Sequence, residues 1–93
     1  MRTIERSTAF RRDYRRIKAA PRHRNIDALL TAAIQMLAAD QPLPPANRDH
    51  ALTGNWAGYR ECHVRSDPLL IYGKPDDDTL RLVRLGSHSD LFG

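Results

Sequence analysis

Phe10, Tyr14 and Ile17 recur at helical spacing, while Arg11, Arg12, Arg15, Arg16 and Lys18 lie largely off that stripe. The spacing predicts an amphipathic helix ending near Ala19, with Ser7 or Thr8 as its N-cap. Before it, "RTIERS" at 2 to 7 can form a short strand with Ile4 inward, and after it Pro21 breaks the helix. Ile26, Leu29, Leu30, Ala33, Ile34 and Leu37 follow the i, i+3, i+4, i+7 rule and predict a second helix from about Asn25 to Ala39. "DQPLPPANRD" at 40 to 49 holds three prolines and no period, so it reads as a semi-rigid loop delivering His50. "YRECHVR", "LLIYGK" and "TLRLVRLG" then read as three strands, the last two joined by the acidic turn "PDDD". The order β-α-α-β-β-β predicts an α+β fold over residues 1 to 93 as a single domain: a mostly antiparallel sheet with a helical hairpin on one face and the other face open to a ligand.

Strand alternation assigns faces. Cys62 and Val64 point one way, and Glu61, His63 and Arg65 the other. In the last strand Val83 and Leu85 are expected on the helix side, turning Arg84 to the open face, although Leu80 and Leu82 then share Arg84's side against the rule. In the tail "LGSHSDLFG", Gly86 is expected to release the backbone from the strand. His88 then lies across the open face near Arg84, and Phe92, the only large aromatic there, folds back to tie down the tail and wall the groove.

Composition narrows the class. Apolar residues are 41% of the chain and charged residues 28%, a globular balance. The single cysteine, Cys62, excludes a disulfide framework and a thiolate metal cluster and suits a reducing cytoplasm. The most apolar run, 28 to 39, is too short to span a bilayer and starts too far along for a signal peptide, so no membrane partner is expected. The net charge is +4, unevenly spread. Residues 1 to 24 hold eight arginines and Lys18 against Glu5 and Asp13, whereas the rest of the chain is net acidic. Thirteen of the fifteen basic residues are arginine, whose planar fork matches phosphate oxygens and stacks on bases. Arg11, Arg12, Arg15 and Arg16 are therefore candidate RNA contacts.

Singly, the chemistry-bearing residues have plain readings: His63 as a surface histidine, Asp67 before Pro68 as a turn starter, Trp56 as core packing as readily as a base-stacking platform. As a set they suit phosphodiester cleavage by an RNA's own 2′-hydroxyl, which needs a base, an acid for the departing 5′-oxygen and a cation for the phosphorane charge. His50, His63, Asp67, Arg84 and His88 supply all three, and the reaction calls for neither metal nor cofactor because the nucleophile is already in the substrate. A zinc site lacks any close ligand spacing here, and there is no Gly-rich phosphate loop or G-x-S-x-G elbow.

The stretch from His50 to Gly93 carries "H-x-L-x-G-x-W-x-G-Y-R" at 50 to 60, "C-H-V" with Asp67 at 62 to 67, "L-L-I-Y" at 69 to 72 and "R-x-G-S-H-S-D-L-F-G" at 84 to 93. It closely resembles the YafQ branch of the RelE/ParE toxin superfamily, with weaker resemblance over residues 1 to 49. The resemblance implies a RelE-like, microbial-RNase-type fold. It also implies a toxin of a type II toxin-antitoxin system: a ribosome-dependent endoribonuclease that cuts mRNA in the A site of the 70S ribosome and is neutralised by a cognate antitoxin. By position it assigns acid-base roles to His50, His63, Asp67 and His88, phosphate stabilisation to Arg84 and RNA placement to Phe92. His88 is the expected proton donor, with His50 or Asp67 as base. The family commonly has an aromatic residue after the aspartate, and this chain has Pro68, forgoing a stacking contact of about 1 to 3 kcal/mol. Two rivals follow. A ParE-like toxin that binds DNA gyrase would have no need of three histidines and an aspartate on one face, and a catalytically weakened relative acting mainly as an antitoxin partner is favoured only by Pro68.

Overall fold

The computed structural model describes residues 1–65 and 67–92; Ser66, and Gly93 at the end of the tail motif, lie outside the described residues. Strand β1 (Thr3–Arg6) leads into helix α1 (Thr8–Ala19), a 3-10 turn at Pro21–His23 and helix α2 (Ile26–Ala38). The chain continues through short strand β2 (His50–Ala51), β3 (Arg60–His63), β4 (Leu69–Gly73), β5 (Thr79–Gly86) and the five-residue helix α3 (His88–Phe92). The sheet order is β1-β5-β4-β3-β2, with β1 parallel to β5 and the remaining pairs antiparallel. The expected α+β fold and mostly antiparallel sheet are present, with β2 and α3 as additions. Both are too short to carry a periodic signal.

Ser7 is the helix cap. Its Oγ accepts from the Phe10 amide at 2.9 Å and donates to the Val83 carbonyl at 2.7 Å, so one hydroxyl caps α1 and fastens it to β5. α1 and α2 lay Phe10, Ile17, Ile26, Leu30, Ile34 and Leu37 on Cys62, Leu70, Tyr72, Leu80, Leu82 and Leu85. Full burial of each large apolar side chain contributes about 1.5 to 3 kcal/mol, making this layer the main source of stability.

Two expectations about the sheet faces are corrected. Leu80, Leu82 and Leu85 all belong to the helix-side core, whereas Val83 packs on the opposite face. The cause is a register shift: Tyr72 pairs with Leu82 but Ile71 pairs with Arg84, leaving Val83 as the extra residue of a bulge. The face away from the helices is also only partly open. Leu69, Ile71 and Leu91 form a second cluster there, with Leu52, Trp56, Tyr59 and Val83 against it, so every residue of β4 is buried.

Candidate active site

The loop before β2 is pinned by its own polar groups. Asn47 Nδ2 donates to the His63 carbonyl at 2.8 Å, and Asp49 Oδ1 accepts from the Tyr72 phenol at 2.5 Å and from Arg60 Nε at 3.2 Å. Arg48 takes a left-handed conformation, φ 47°, and the chain then enters β2 with His50 opposite Glu61. The expected semi-rigid loop is thus fastened to β3 and β4.

Register gathers the candidate residues at one end of the sheet. One row runs His50, Glu61, Ile71, Arg84; the next runs His63, Leu69, Gly86. Paired residues share a face, and Ile71 and Leu69 identify it as the one away from the helices. Asp67 lies two residues before Leu69 and His88 two residues after Gly86, so both flank the second row. The Val64 amide bonds the Pro68 carbonyl at 3.0 Å and closes the β3–β4 connection.

His50 is half-exposed. Its Nδ1 lies 2.7 Å from the Arg48 carbonyl and its Nε2 2.9 Å from Glu61 Oε2. Glu61 is 5% exposed, and its Oε1 is buried without a hydrogen-bond partner. His63 is half-buried and His88 exposed.

Arg84 does not simply face solvent. Its Nε donates to Asp13 Oδ2 at 2.7 Å and its Nη2 to Oδ1 at 3.3 Å, while Asp13 Oδ2 also accepts the Leu85 amide at 3.0 Å. β1 pairs only with Thr79 to Leu82, so the Leu85 amide lies past the end of that partner strand, and a carboxylate from α1 satisfies it. The Asp13 contact raises the Arg84 pKa further above its ordinary value, and the guanidinium is a permanent cation.

The tail departs from expectation in its anchor. Leu91, 9% exposed, packs in the second cluster, whereas Phe92 is 36% exposed and lies 5.0 Å from the His88 ring, centroid to centroid. Ser87 and Asp90 cap α3 reciprocally: the Ser87 amide bonds Asp90 Oδ2 and the Asp90 amide bonds Ser87 Oγ, each at 3.1 Å. These bonds hold the Asp90 carboxyl below its usual range. Gly86 is needed for close approach, because a Cβ there would come within 3.1 Å of Asp90 Cβ.

Arg11, Arg12 and Arg15 are exposed on α1 and are not brought to the histidines. Arg16 instead reaches Asp13 at 3.4 Å, the carboxylate that holds Arg84, and Asp90 at 3.6 Å, the one that caps α3. Trp56 is half-buried, edge-on to Tyr59 at 5.8 Å, in the second cluster. Burial pushes the Cys62 thiol up to about 12, an inert filler beneath the helices. Asp13, Glu61 and Leu91 were not singled out as site residues from the sequence. Asp13 carried a signal, since a carboxylate falls on the apolar stripe between Phe10 and Ile17; Glu61 carried only its alternation with Cys62.

The family described as the bacterial toxin of type II toxin-antitoxin system, YafQ, matches residues 2–93. The chain belongs to the YafQ family. The mRNA interferase toxin YafQ of Escherichia coli K12 is 39% identical to it over 92 residues, covering 99% of this chain and 97% of that protein. The YafQ chain in the crystal structure of the E. coli DinJ-YafQ complex superimposes with a TM-score of 0.84 at 37% identity, covering both chains fully. A copper-bound mutant toxin from Helicobacter pylori aligns with a TM-score of 0.85 at 37% identity, over 99% of this chain and all of that one. In this chain no group of three or more His, Cys, Asp or Glu is gathered to hold a metal ion among the described residues. No described helix is long and apolar enough to cross a membrane.

Proposed function

We propose that this chain is, over its single domain, the toxin of a type II pair: a cytoplasmic mRNA interferase that cleaves messenger RNA in the ribosomal A site and is silenced by a cognate antitoxin. The observation that supports this reading is the strand register, which sets His50, His63 and Arg84 on neighbouring rows at one end of the sheet, with Asp67 two residues before β4 and His88 two residues after β5. The relatives named as mRNA interferases and the relative solved with DinJ support it.

The attacking group is the 2′-hydroxyl of the nucleotide before the scissile bond, and its oxygen forms the new P–O bond as the 5′-oxygen leaves. A carboxylate or imidazole at this face takes the 2′ proton. His88, exposed and held by the capped α3, gives a proton to the 5′-oxygen; positioned acid catalysis of this kind supplies about 10²- to 10⁴-fold. Arg84 keeps donors beyond those engaged by Asp13 and offers them to the phosphorane oxygens. Phe92, beside His88, walls the path of the RNA. The exposed arginines of α1 meet ribosomal RNA phosphates, and Pro68 removes a stacking surface without removing an acid-base group.

The test is brief induction with mapping of RNA 5′ ends, for the parent and for His88→Ala. Cuts in phase with codons that vanish in the variant, with growth arrest relieved by the neighbouring gene's product, are the expected result. Growth arrest without new RNA ends in the parent overturns the reading.

A further inference from the structure

Asp13 stands on the apolar stripe of α1, between Phe10 and Ile17, and is 3% exposed. Among the described residues, every polar group in contact with its side chain is a donor. Oδ2 accepts Arg84 Nε at 2.7 Å and the Leu85 amide at 3.0 Å; Oδ1 accepts Arg84 Nη2 at 3.3 Å and lies 3.4 Å from Arg16 Nη1. Burying a carboxylate is costly, and a buried ion pair often stabilises a fold no better than well-packed apolar side chains of similar volume. What a carboxylate does at this place that a leucine would not do is give the Arg84 guanidinium a direction.

That direction is specific. Asp13 takes the edge of the guanidinium formed by Nε and Nη2, two parallel N–H groups matched to its two oxygens. The planar fork carries five N–H donors, so both of those on Nη1 and the second on Nη2 remain. They form the other edge, which is again a pair matched to two oxygens of one phosphate. The Arg84 side chain is 28% exposed, so the clasp does not seal it from a ligand. Its support is firm, because Ser7 fastens the start of α1 to the Val83 carbonyl, one residue before Arg84. Arg84 also lies in the row of His50, Glu61 and Ile71, beside the row of His63 and Gly86. A Cβ on Gly86 would come 3.1 Å from Asp90 Cβ and 3.4 Å from Arg16 Nη2, so α1, the end of β5 and the α3 turn that carries His88 converge there.

We propose that Asp13 is a positioning residue for Arg84: it holds the edge formed by Nε and Nη2 so that the edge formed by Nη1 and Nη2 is presented to two non-bridging oxygens of the scissile phosphate. The cation is then aimed before substrate arrives, and its donors need no reorganisation as charge builds on the phosphorane. The arrangement also accounts for arginine at this place. A lysine ammonium is a point charge without a second edge, so pairing with Asp13 would not fix its geometry towards the phosphate. The role rests on the ribonuclease reading, whereas the attitude of the guanidinium is a property of the free chain.

The experiment pairs arginine side-chain NMR of the full chain, free of ribosome, with single-turnover cleavage of ribosome-bound message. In the parent the Arg84 Nε–H, assigned by its loss in Arg84→Ala, should exchange slowly with water and be as ordered as the backbone; in Asp13→Asn, which keeps an oxygen for the Leu85 amide, it should exchange freely. Asp13→Asn should cut about tenfold or more slowly at saturating protein with its half-saturating concentration unchanged, since misplacement by about 1 Å can cost 10²-fold. On an Arg84→Ala background the same change should slow cleavage by less than about twofold, because the group it positions is gone. Arg84→Lys should cut about as slowly as Arg84→Ala, and this arm needs no change at Asp13. A freely exchanging Nε–H in the parent, an equal loss from Asp13→Asn with and without Arg84, or parental cleavage by Arg84→Lys overturns the proposal. If the parent never cuts RNA, the ribonuclease reading fails by itself, and the parent spectrum still decides whether Asp13 holds the guanidinium.

Discussion

Replacing Asp13 with alanine tests how α1 is bound to the Arg84 end of β5. Asp13 is 3% exposed and receives Arg84 Nε at 2.7 Å, Arg84 Nη2 at 3.3 Å and the Leu85 amide at 3.0 Å, with Arg16 at 3.4 Å. Its removal leaves an edge amide without an acceptor, at a cost of about 1 to 3 kcal/mol, and an arginine without its carboxylate. Breaking a fully buried pair costs about 3 to 5 kcal/mol, but the Arg84 side chain is 28% exposed and can turn to water, which offsets part of this. We therefore expect Asp13→Ala to lose about 3 kcal/mol in all. A domain of this size loses about 4 to 8 °C per kcal/mol, so the melting temperature should fall by on the order of 15 °C. Thermal unfolding followed by circular dichroism reads this directly. Arg84→Met added to Asp13→Ala should cost less than the sum of the single changes, by about 2 kcal/mol, because the charge left unpaired is gone. Strict additivity, or a loss under about 0.5 kcal/mol for Asp13→Ala, would refute the buried-clasp reasoning.

Leu91→Ala should destabilise by about 2 kcal/mol because it empties a buried place in the second cluster, whereas Phe92→Ala should cost under about 1 kcal/mol yet lower cleavage; denaturant melts and a cleavage assay separate the two. Cys62, with its thiol pushed up to about 12 by burial, should resist alkylation at pH 8 in the native state and react on unfolding. Its raised pKa favours the fold below the ordinary thiol value of 9.0, and that contribution should be lost as pH climbs from there towards 12, a slope that Cys62→Ala should lack in alkaline melts. Ribosome binding should weaken steeply across a salt series, and less steeply when Arg11, Arg12 and Arg15 are neutralised together; a flat response in the parent removes the phosphate role of α1.

The features legible in the sequence were those that repeat. The stripes from Phe10 to Ile17 and from Ile26 to Leu37 marked both helices to within a residue or so, because packing on the sheet selects that period. The apolar strands and the tail motif likewise marked β3, β4 and β5. What was not legible depends on single contacts across long sequence separations. Val83 bulges because of its partner strand, and no pattern within β5 announces that. Glu61 looked like an outward strand residue, yet two residues of β2 and the cluster over β4 bury it. Phe92 was expected to anchor the tail for its size; one turn of α3 instead aims Leu91 inward and leaves Phe92 beside His88. The proximity of His50, His63 and Arg84 in neighbouring rows was anticipated on strand alternation and family resemblance, and register provides its physical basis, whereas the Asp13 clasp on Arg84 required the fold.

The central claim is that this face directs an RNA's own 2′-hydroxyl at the adjoining phosphate. Purified protein should be given 70S ribosomes programmed with two messages, identical except for a single 2′-O-methyl group at the nucleotide preceding the cut, and the ends of the products identified. The account predicts that the unmodified message is cut to a 2′,3′-cyclic phosphate and a 5′-hydroxyl, and that the methylated message is left whole at that position. Equal cutting of both messages, or products with 5′-phosphate ends, would contradict it.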